Sequence, residues 1–274
     1  MIELPEALTL ARQSNAALTG KHVVRVLPPT KPHKFCWWNG SPEDYAAQLV
    51  NSTITGVEGF GIFAELTFDN GKRLCVNDGV NLRLVTDVPR EYQLLLGFDD
   101  GTALALSVAM YGGIVLHCGD YDNAYYRKSR TGISPFSADF AAYYSATLGD
   151  CKPGMSAKAF LATRQRFPGL GNGVLQDILF TAGIHPKRRL STLGATEREK
   201  LLHCTVAVLR EMTDSGGRDT EKDLFGAVGG YTTKLSRNTL ETGCPRCGGT
   251  IVKEAYLGGS VYYCPHCQPL AAEA

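Results

Sequence analysis

Leu4, Leu8, Leu10, Ala11 and Leu18 recur at close to helical spacing with polar residues between them, which predicts one amphipathic helix starting near Pro5. Proline suits a first helical turn because the N–H it lacks would have no partner there. From Lys21 to about Cys118 the period changes. Short runs such as HVVRVL, GIFAELTF, RLCV, TALALSV and GIVLHC are separated by turn signals at Asp69-Asn70 and Asp99-Asp100-Gly101. One helical stretch, PEDYAAQLV at 42–50, interrupts them. The pattern predicts a β-rich unit of two packed sheets. Residues 119–155 read as a polar, aromatic-rich transition, with a domain boundary near Gly149–Gly154. Helical periodicity returns over 156–166, 173–182 and 197–213. The last stretch carries a Thr196/Glu199 capping box and an apolar stripe of Leu201, Leu202, Val206, Leu209 and Met212. Residues 215–243 are Gly-rich and read as loop.

Length and composition narrow the class. A chain of 274 residues is long enough for one large domain or two modest ones, and 44% hydrophobic with 20% charged residues is ordinary for a globular protein. No apolar run is long enough to span a bilayer, and Met-Ile-Glu-Leu-Pro-Glu lacks the basic-then-apolar layout of a signal peptide. The expectation is a cytoplasmic monomer without a membrane partner, beside the nucleoid if the source is bacterial. The net charge of +1 hides an asymmetry: residues 1–150 carry 12 Lys+Arg against 16 Asp+Glu, whereas the rest carry 16 against 11. Within 152–189, Lys152, Lys158, Arg164, Arg166, Lys187, Arg188 and Arg189 face Asp177 alone. Such a block is either a solvated helical surface or a polyanion-binding face.

Cysteine placement adds chemistry. Cys36, Cys75, Cys118, Cys151 and Cys204 are solitary, as small buried side chains are in a reducing compartment. Cys244, Cys247, Cys264 and Cys267 form two Cys-x-x-Cys knuckles sixteen residues apart. Two knuckles complete a tetrahedron of thiolates with no open position, so the expected cofactor is one structural Zn2+. Upstream, Phe167-Pro168-Gly169-Leu170-Gly171-Asn172-Gly173 runs into a helix. Glycines at a helix start let a backbone come close to an anion, which the free N–H groups then bind.

These blocks, with Glu3-Leu4-Pro5-Glu6 at the start, Lys158 through Pro186, and the cysteines ending Cys264-Pro265-His266-Cys267-Gln268, resemble the formamidopyrimidine-DNA glycosylase / endonuclease VIII family. The resemblance frames nearly the whole chain. It implies an α+β multidomain fold: an N-terminal β-sandwich of catalytic type with a leading helix (1–150), a helix–two-turn–helix DNA-binding domain (151–240) and a zinc ribbon (241–270). The implied partner is damaged double-stranded DNA. In the family an N-terminal proline nitrogen attacks C1′ of the damaged nucleotide and forms a Schiff base, after the base has been turned out of the stack. Glu3 matches the carboxylate that protonates the sugar ring oxygen, and Glu6 a second carboxylate beside it. A plainer reading of both is acidic residues at a helix start. Lys158 and Asn172 match a phosphate-gripping pair, with Gly171 beside them. Arg218, Asp219 and Glu221 fall in what looks like the lesion-covering loop, and Tyr231 lines the same region.

Three positions depart from the family pattern. Ile2 stands where the proline is expected, and a residue that bulky keeps Met1 attached. Phe60, within Gly59-Phe60-Gly61-Ile62, stands where a phosphate-binding lysine is expected. Gly259 replaces the arginine of the ribbon turn. Outside the motifs, Trp37 and Trp38 either stack on bases or pack internally, Asp78 is either a turn residue or a displaced carboxylate, and His185 packs or caps within the helical domain. Two functions compete: a glycosylase for damaged bases with a weakened or altered AP-lyase step, and a non-catalytic binder of damaged or distorted DNA.

Overall fold

The computed structural model describes residues 1–270. The leading helix α1 (Leu4–Leu18) is followed by β1 (Val23–Leu27), β2 (Cys36–Trp37), the short α2 (Tyr45–Leu49), β3 (Ile54–Phe60), β4 (Phe63–Phe68), β5 (Arg73–Asn77), β6 (Val80–Val85), β7 (Leu94–Phe98), β8 (Ala103–Val108) and β9 (Gly112–His117). Two sheets form, one ordered β1-β7-β8-β6 and one ordered β2-β9-β5-β4-β3. Neighbouring strands are antiparallel except for β2 beside β9. Leu82, Leu94, Leu96, Leu104 and Leu106 of the first sheet meet Leu66, Leu74, Val76, Ile114 and Leu116 of the second in one buried core. Ala7, Leu10, Ala11 and Leu18 of α1 join that core, as does Ile2. The leading helix is therefore part of the sandwich, and it carries the N-terminus into the molecule.

The second half is helical: α3 (Ala124–Thr131), α4 (Phe140–Gly149), α5 (Ala157–Ala162), α6 (Asn172–Ala182) and α7 (Ala195–Asp214), then the hairpin β10 (Val252–Tyr256) and β11 (Gly259–Tyr263). Phe160, Phe167, Val174, Leu175, Ile178, Leu201, Val208, Leu209 and Met212 build its core, which also takes in Leu4 of α1. The ribbon has a small core of its own, in which Cys244, Ile251 and Cys264 meet Leu235 and Phe180. Among the described residues no helix is long and apolar enough to cross a membrane.

Three local expectations change. The stretch 119–155 holds two helices, α3 and α4. The sequence of α3, AYYRKSRT, has no apolar stripe, and the helix is held from outside. Asn123 caps it by accepting N–H groups of Tyr125 and Tyr126, and Tyr126 and Arg130 reach the buried carboxylate of Glu65 at 2.8 and 2.9 Å. Helix α5 stops at Ala162 because Arg164 and Gln165 adopt left-handed φ of 61° and 47°, which turns the chain into the glycine loop. Helix α7 starts two residues before the Thr196/Glu199 box: Gly194 is the N-cap, and its N–H donates to Glu197 at 3.0 Å.

Candidate active site and nucleic-acid interface

Glu3 is the N-cap of α1, yet its side chain serves another helix. Its two carboxylate oxygens accept the N–H groups of Gly173 (2.8 Å) and Val174 (2.7 Å), in the first turn of α6. This is the anion-binding helix start read from the sequence, occupied from within by a carboxylate 170 residues away. A Cβ on Gly171 would strike the Glu3 carboxylate, and one on Gly173 would strike the Arg218 guanidinium. The Gly-Asn-Gly spacing is thus required by two side chains lying on the helix start. The Leu4 N–H donates to Gly169 O at 3.0 Å and seats the N-terminal segment against the same loop.

Glu6 sits one turn into α1 and accepts the Glu3 N–H at 3.2 Å. Arg218 grips it with two prongs, Nε to Oε1 at 3.0 Å and Nη2 to Oε2 at 2.8 Å, and its Nη1 lies 3.5 Å from Glu3. All three side chains are buried. Burial opposes the charge on Arg218, but Glu3 and Glu6 outweigh it and hold the guanidinium more firmly protonated than usual. Two carboxylates share one cation, so burial, with repulsion from Glu6, lifts Glu3 above the ordinary carboxylate range despite Arg218 and the two N–H groups.

The N-terminus completes this cluster. The Met1 ammonium pairs with Glu221, and the Ile2 N–H donates to Asp78 O at 2.6 Å while the Ile2 side chain is buried. Asp78 has φ of 53°, a left-handed conformation uncommon outside glycine. Burial raises its carboxyl pKa to about 6, against a smaller lowering by the N-terminal ammonium. A carboxyl whose folded pKa exceeds its unfolded one binds more protons when folded, so it loses stability as pH rises from about 4 to about 6. Asp78→Asn removes that loss and keeps a residue that tolerates left-handed φ. Thermal melts of both proteins at pH 4.5 and pH 7.5 should show the variant gaining on the parent at the higher pH. A constant difference would place Asp78 in water.

Several candidates lie elsewhere than expected. Arg218 and Tyr231, which the resemblance makes DNA-binding residues of the lesion-covering region, are both buried. Arg218 is instead enclosed by Glu3, Glu6 and the Met1 carbonyl, and Tyr231 is buried in the helical core with Lys234 Nζ on its hydroxyl at 2.7 Å. Lys158 is buried too. Its Nζ donates to Tyr256 O, and burial lowers its pKa. Asn172 Nδ2 donates to Ser260 O at 2.7 Å, so both members of the expected phosphate-gripping pair hold the ribbon turn. Gly259 lies against the same amide, and a Cβ there would come within 2.8 Å of Asn172 Nδ2. Phe60 stacks on Phe63 with Arg130 over its ring. Asp177, the lone acid of the basic block, is buried and accepts the N–H groups of Lys234 and Leu235 at 2.8 Å, so it does not neutralise the basic surface. His185 is buried against Tyr263, with ring centroids 4.2 Å apart. Trp38 packs on Tyr45, whereas Trp37 is exposed. The loop over 218–224 is pinned at both ends: Leu224 is buried in the sandwich core, and Asp219 accepts Thr233 Oγ1 at 2.8 Å.

The four cysteines converge. Their sulfurs all lie within 4.8 Å of one another, with Cys244–Cys267 at 3.7 Å and Cys247–Cys264 at 3.6 Å. Tetrahedral zinc with bonds of about 2.3 Å sets its thiolates about 3.8 Å apart, so the donor set fits one structural Zn2+.

Comparison with known proteins agrees with this fold and with the four-cysteine site. The family described as a zinc finger found in FPG and IleRS matches residues 244–270. A formamidopyrimidine-DNA glycosylase of Geobacter metallireducens is 30% identical over 274 residues, covering 98% of this chain and 100% of the relative. One from an Exiguobacterium species is 28% identical, covering 98% and 99%. In fold, the chain matches Lactococcus lactis Fpg bound to DNA containing an abasic site, with a TM-score of 0.80 at 24% identity over 97% of this chain and 99% of that one. The same enzyme bound to DNA containing N7-benzyl-Fapy-dG gives a TM-score of 0.81 at 24% identity, with the same coverage.

Proposed function

Because the chain belongs to the formamidopyrimidine-DNA glycosylase family, we propose that it releases damaged bases from double-stranded DNA with its AP-lyase step weakened or rerouted. In this reading residues 1–150 carry the chemistry, 151–240 grip the duplex and 241–270 brace that grip. The observation that carries the proposal is the state of the second residue. Ile2 stands where the family has its proline; with Met1 attached, its nitrogen is a peptide amide whose N–H is held by Asp78 O, and its side chain is buried. An amide lone pair is delocalised and cannot form a Schiff base. Glu3 and Glu6, by contrast, occupy the positions the resemblance assigns to carboxylates.

Base release then proceeds by hydrolysis. Water adds to C1′ and gives its proton to a carboxylate, the C1′–N bond breaks, and the departing base takes up a proton. Glu3 is the carboxylate proposed to activate the water; Asp78, in the same neighbourhood, is the second candidate. Borohydride trapping on abasic-site DNA should yield far less covalent adduct than a proline-bearing relative gives. Equal trapping would overturn the weakened lyase step. Glu3→Gln should slow base release about 100-fold or more, the size of a lost general base. Unchanged release would take the water-activating role from Glu3 and leave it to Asp78, whereas no release by the parent on any lesion would remove the glycosylase reading.

A second reading, a non-catalytic binder of damaged DNA, is favoured by one observation. The cavity between α1 and the covering loop, lined by Glu6, Thr9, Leu10 and Arg218, measures about 10 Å³, room for about one water. Turnover on any lesion would reject this reading.

A further inference from the structure

The space under the covering loop is too small for a base, but Asp78 borders a larger one. A groove of about 560 Å³ runs between the ends of the larger sheet and the start of α3, lined by Trp37, Ile62, Asp78, Tyr111, Tyr121 and Tyr125. That volume falls in the range of small-ligand pockets, about 300–1,000 Å³. Four of its ten lining residues, one tryptophan and three tyrosines, are aromatic. Trp37 and Tyr125 keep 52% and 49% of their surface exposed and line the same groove, the kind of exposed apolar patch that marks an interaction site.

The aromatic walls are held in place. Trp37 rests on Tyr111, with centroids 6.1 Å apart, and Tyr121 packs on Tyr126 and His117 at 5.0 and 5.6 Å. Behind them is a buried polar cluster that the proposed chemistry does not use. Glu65 accepts the Tyr126 hydroxyl, Arg130 Nη2 and His117 Nε2 at 2.8, 2.9 and 3.1 Å. His117 Nδ1 accepts the Gly119 N–H at 3.0 Å, which assigns the ring proton to Nε2. Glu65 thereby ties α3 and the 117–119 turn to the sheet, so Tyr121 and Tyr125 are presented from a fixed frame. The groove wall also carries polar groups, Asn77, Asn123, Gln165 and Asp78, the last in its left-handed conformation and the one acid among them. Its raised pKa gives it a share of the protonated form near pH 6, so it can both donate to and accept from a ligand edge.

We propose that this groove binds one unstacked nucleobase of a DNA strand, with Trp37 and Tyr125 as stacking surfaces and Asp78 on the base's polar edge. The occupant follows from the lining: a nucleobase joins two flat π-faces to a hydrogen-bonding edge, and stacking on aromatics tolerates any base. The inference rests on the DNA partner of the proposed function but not on turnover. The groove is separate from the buried Glu3–Glu6–Arg218 cluster, and Asp78 borders both.

The test uses the full zinc-bound chain, with binding followed by fluorescence anisotropy at fixed salt. One duplex carries a single bulged nucleotide and the other is fully paired. Trp37→Ala and Tyr125→Ala should each weaken binding to the bulged duplex about tenfold, the size of one lost stacking contact, and leave the paired duplex unchanged. Trp37→Phe should retain most of the affinity. Both positions are half exposed, so melting temperatures should match the parent and exclude misfolding. Equal loss on both duplexes, or no loss on either, overturns the groove. Two further duplexes identify the source of the base: 2-aminopurine opposite an abasic site, and 2-aminopurine in a mispair. Quenching on binding that Trp37→Ala abolishes, in either duplex, supports the proposal and names the strand; quenching in neither overturns it. Base release is measured on the same proteins. A parent that discriminates the bulge without turnover would sink the glycosylase reading and keep the groove, and turnover without discrimination would do the reverse.

Discussion

Stripping zinc with a chelator, or replacing Cys264 by Ser, is expected to unfold the ribbon and remove most duplex binding. Apart from its thiolates, the ribbon's buried core is little more than Ile251 and Val261 against Leu235 and Phe180, too small to hold a fold. Four-thiolate zinc contributes on the order of 10–16 kcal/mol in small domains, so here the metal is most of the stabilisation. The loss propagates because the ribbon turn supplies acceptors to the helical domain: Tyr256 O for Lys158, and Ser260 O for Asn172 and Gln176. Gln268 adds a bond to Ile184 O at 2.9 Å. Without them, Lys158 would lose the carbonyl and ring that cover its ammonium, and α6 would lose the brace at its first turn. Metal analysis should find one zinc per chain, and chelation should free four titratable thiols. Hydrogen exchange should show protection lost over 244–268 and weakened at the start of α6. An unchanged exchange pattern in the metal-free protein would mean that the metal is dispensable.

The second large effect is at Arg218. Arg218→Ala leaves the Glu3 and Glu6 carboxylates buried without their cation, and breaking a buried pair in this way costs about 3–5 kcal/mol. The deficit should depend on pH with a definite sign. Glu3 already has a folded pKa above the ordinary range, and losing the guanidinium raises it further. The folded variant then holds a proton that the unfolded chain releases, so its stability falls as pH rises through the interval between the two values. Denaturant melts should show a larger deficit at pH 8 than at pH 5. Adding Glu6→Gln should recover part of it by removing one of the stranded charges. A deficit below about 1 kcal/mol and independent of pH would mean that the cluster is solvated.

Both predictions show how unevenly the molecule can be read from its chain. The zinc site was legible because its determinants are local: each Cys-x-x-Cys turn is a knuckle whatever surrounds it, and only the meeting of the two knuckles is tertiary. The β-rich half, α1, and the start of α6 after Gly171 were legible from period and capping chemistry. Helix α3 was not, because its stabilising partner, Glu65, lies on a strand about sixty residues upstream and leaves no periodic trace in AYYRKSRT. The aromatic groove was half legible. Trp37 could be suspected of stacking, but nothing local brings Tyr111, Tyr121 and Tyr125 to the same wall.

The sequence alone determined the zinc ligands and the order of sheet and helix, because spacing along a chain dictates knuckles and periods; it singled out the carboxylates at positions 3 and 6 through the family resemblance. Only the tertiary structure decided what those carboxylates face. Glu3 answers an α6 helix start 170 residues away, and Glu6 answers Arg218 at a separation of 212. That pairing makes Arg218 a buried counter-ion, and separate contacts seat Lys158 and Asn172 against the carbonyls of the ribbon turn. The physical reason is that burial and hydrogen-bond partnership depend on which distant segments share a core. The cost of an unpaired buried charge then forces whichever cation is within reach to turn inward.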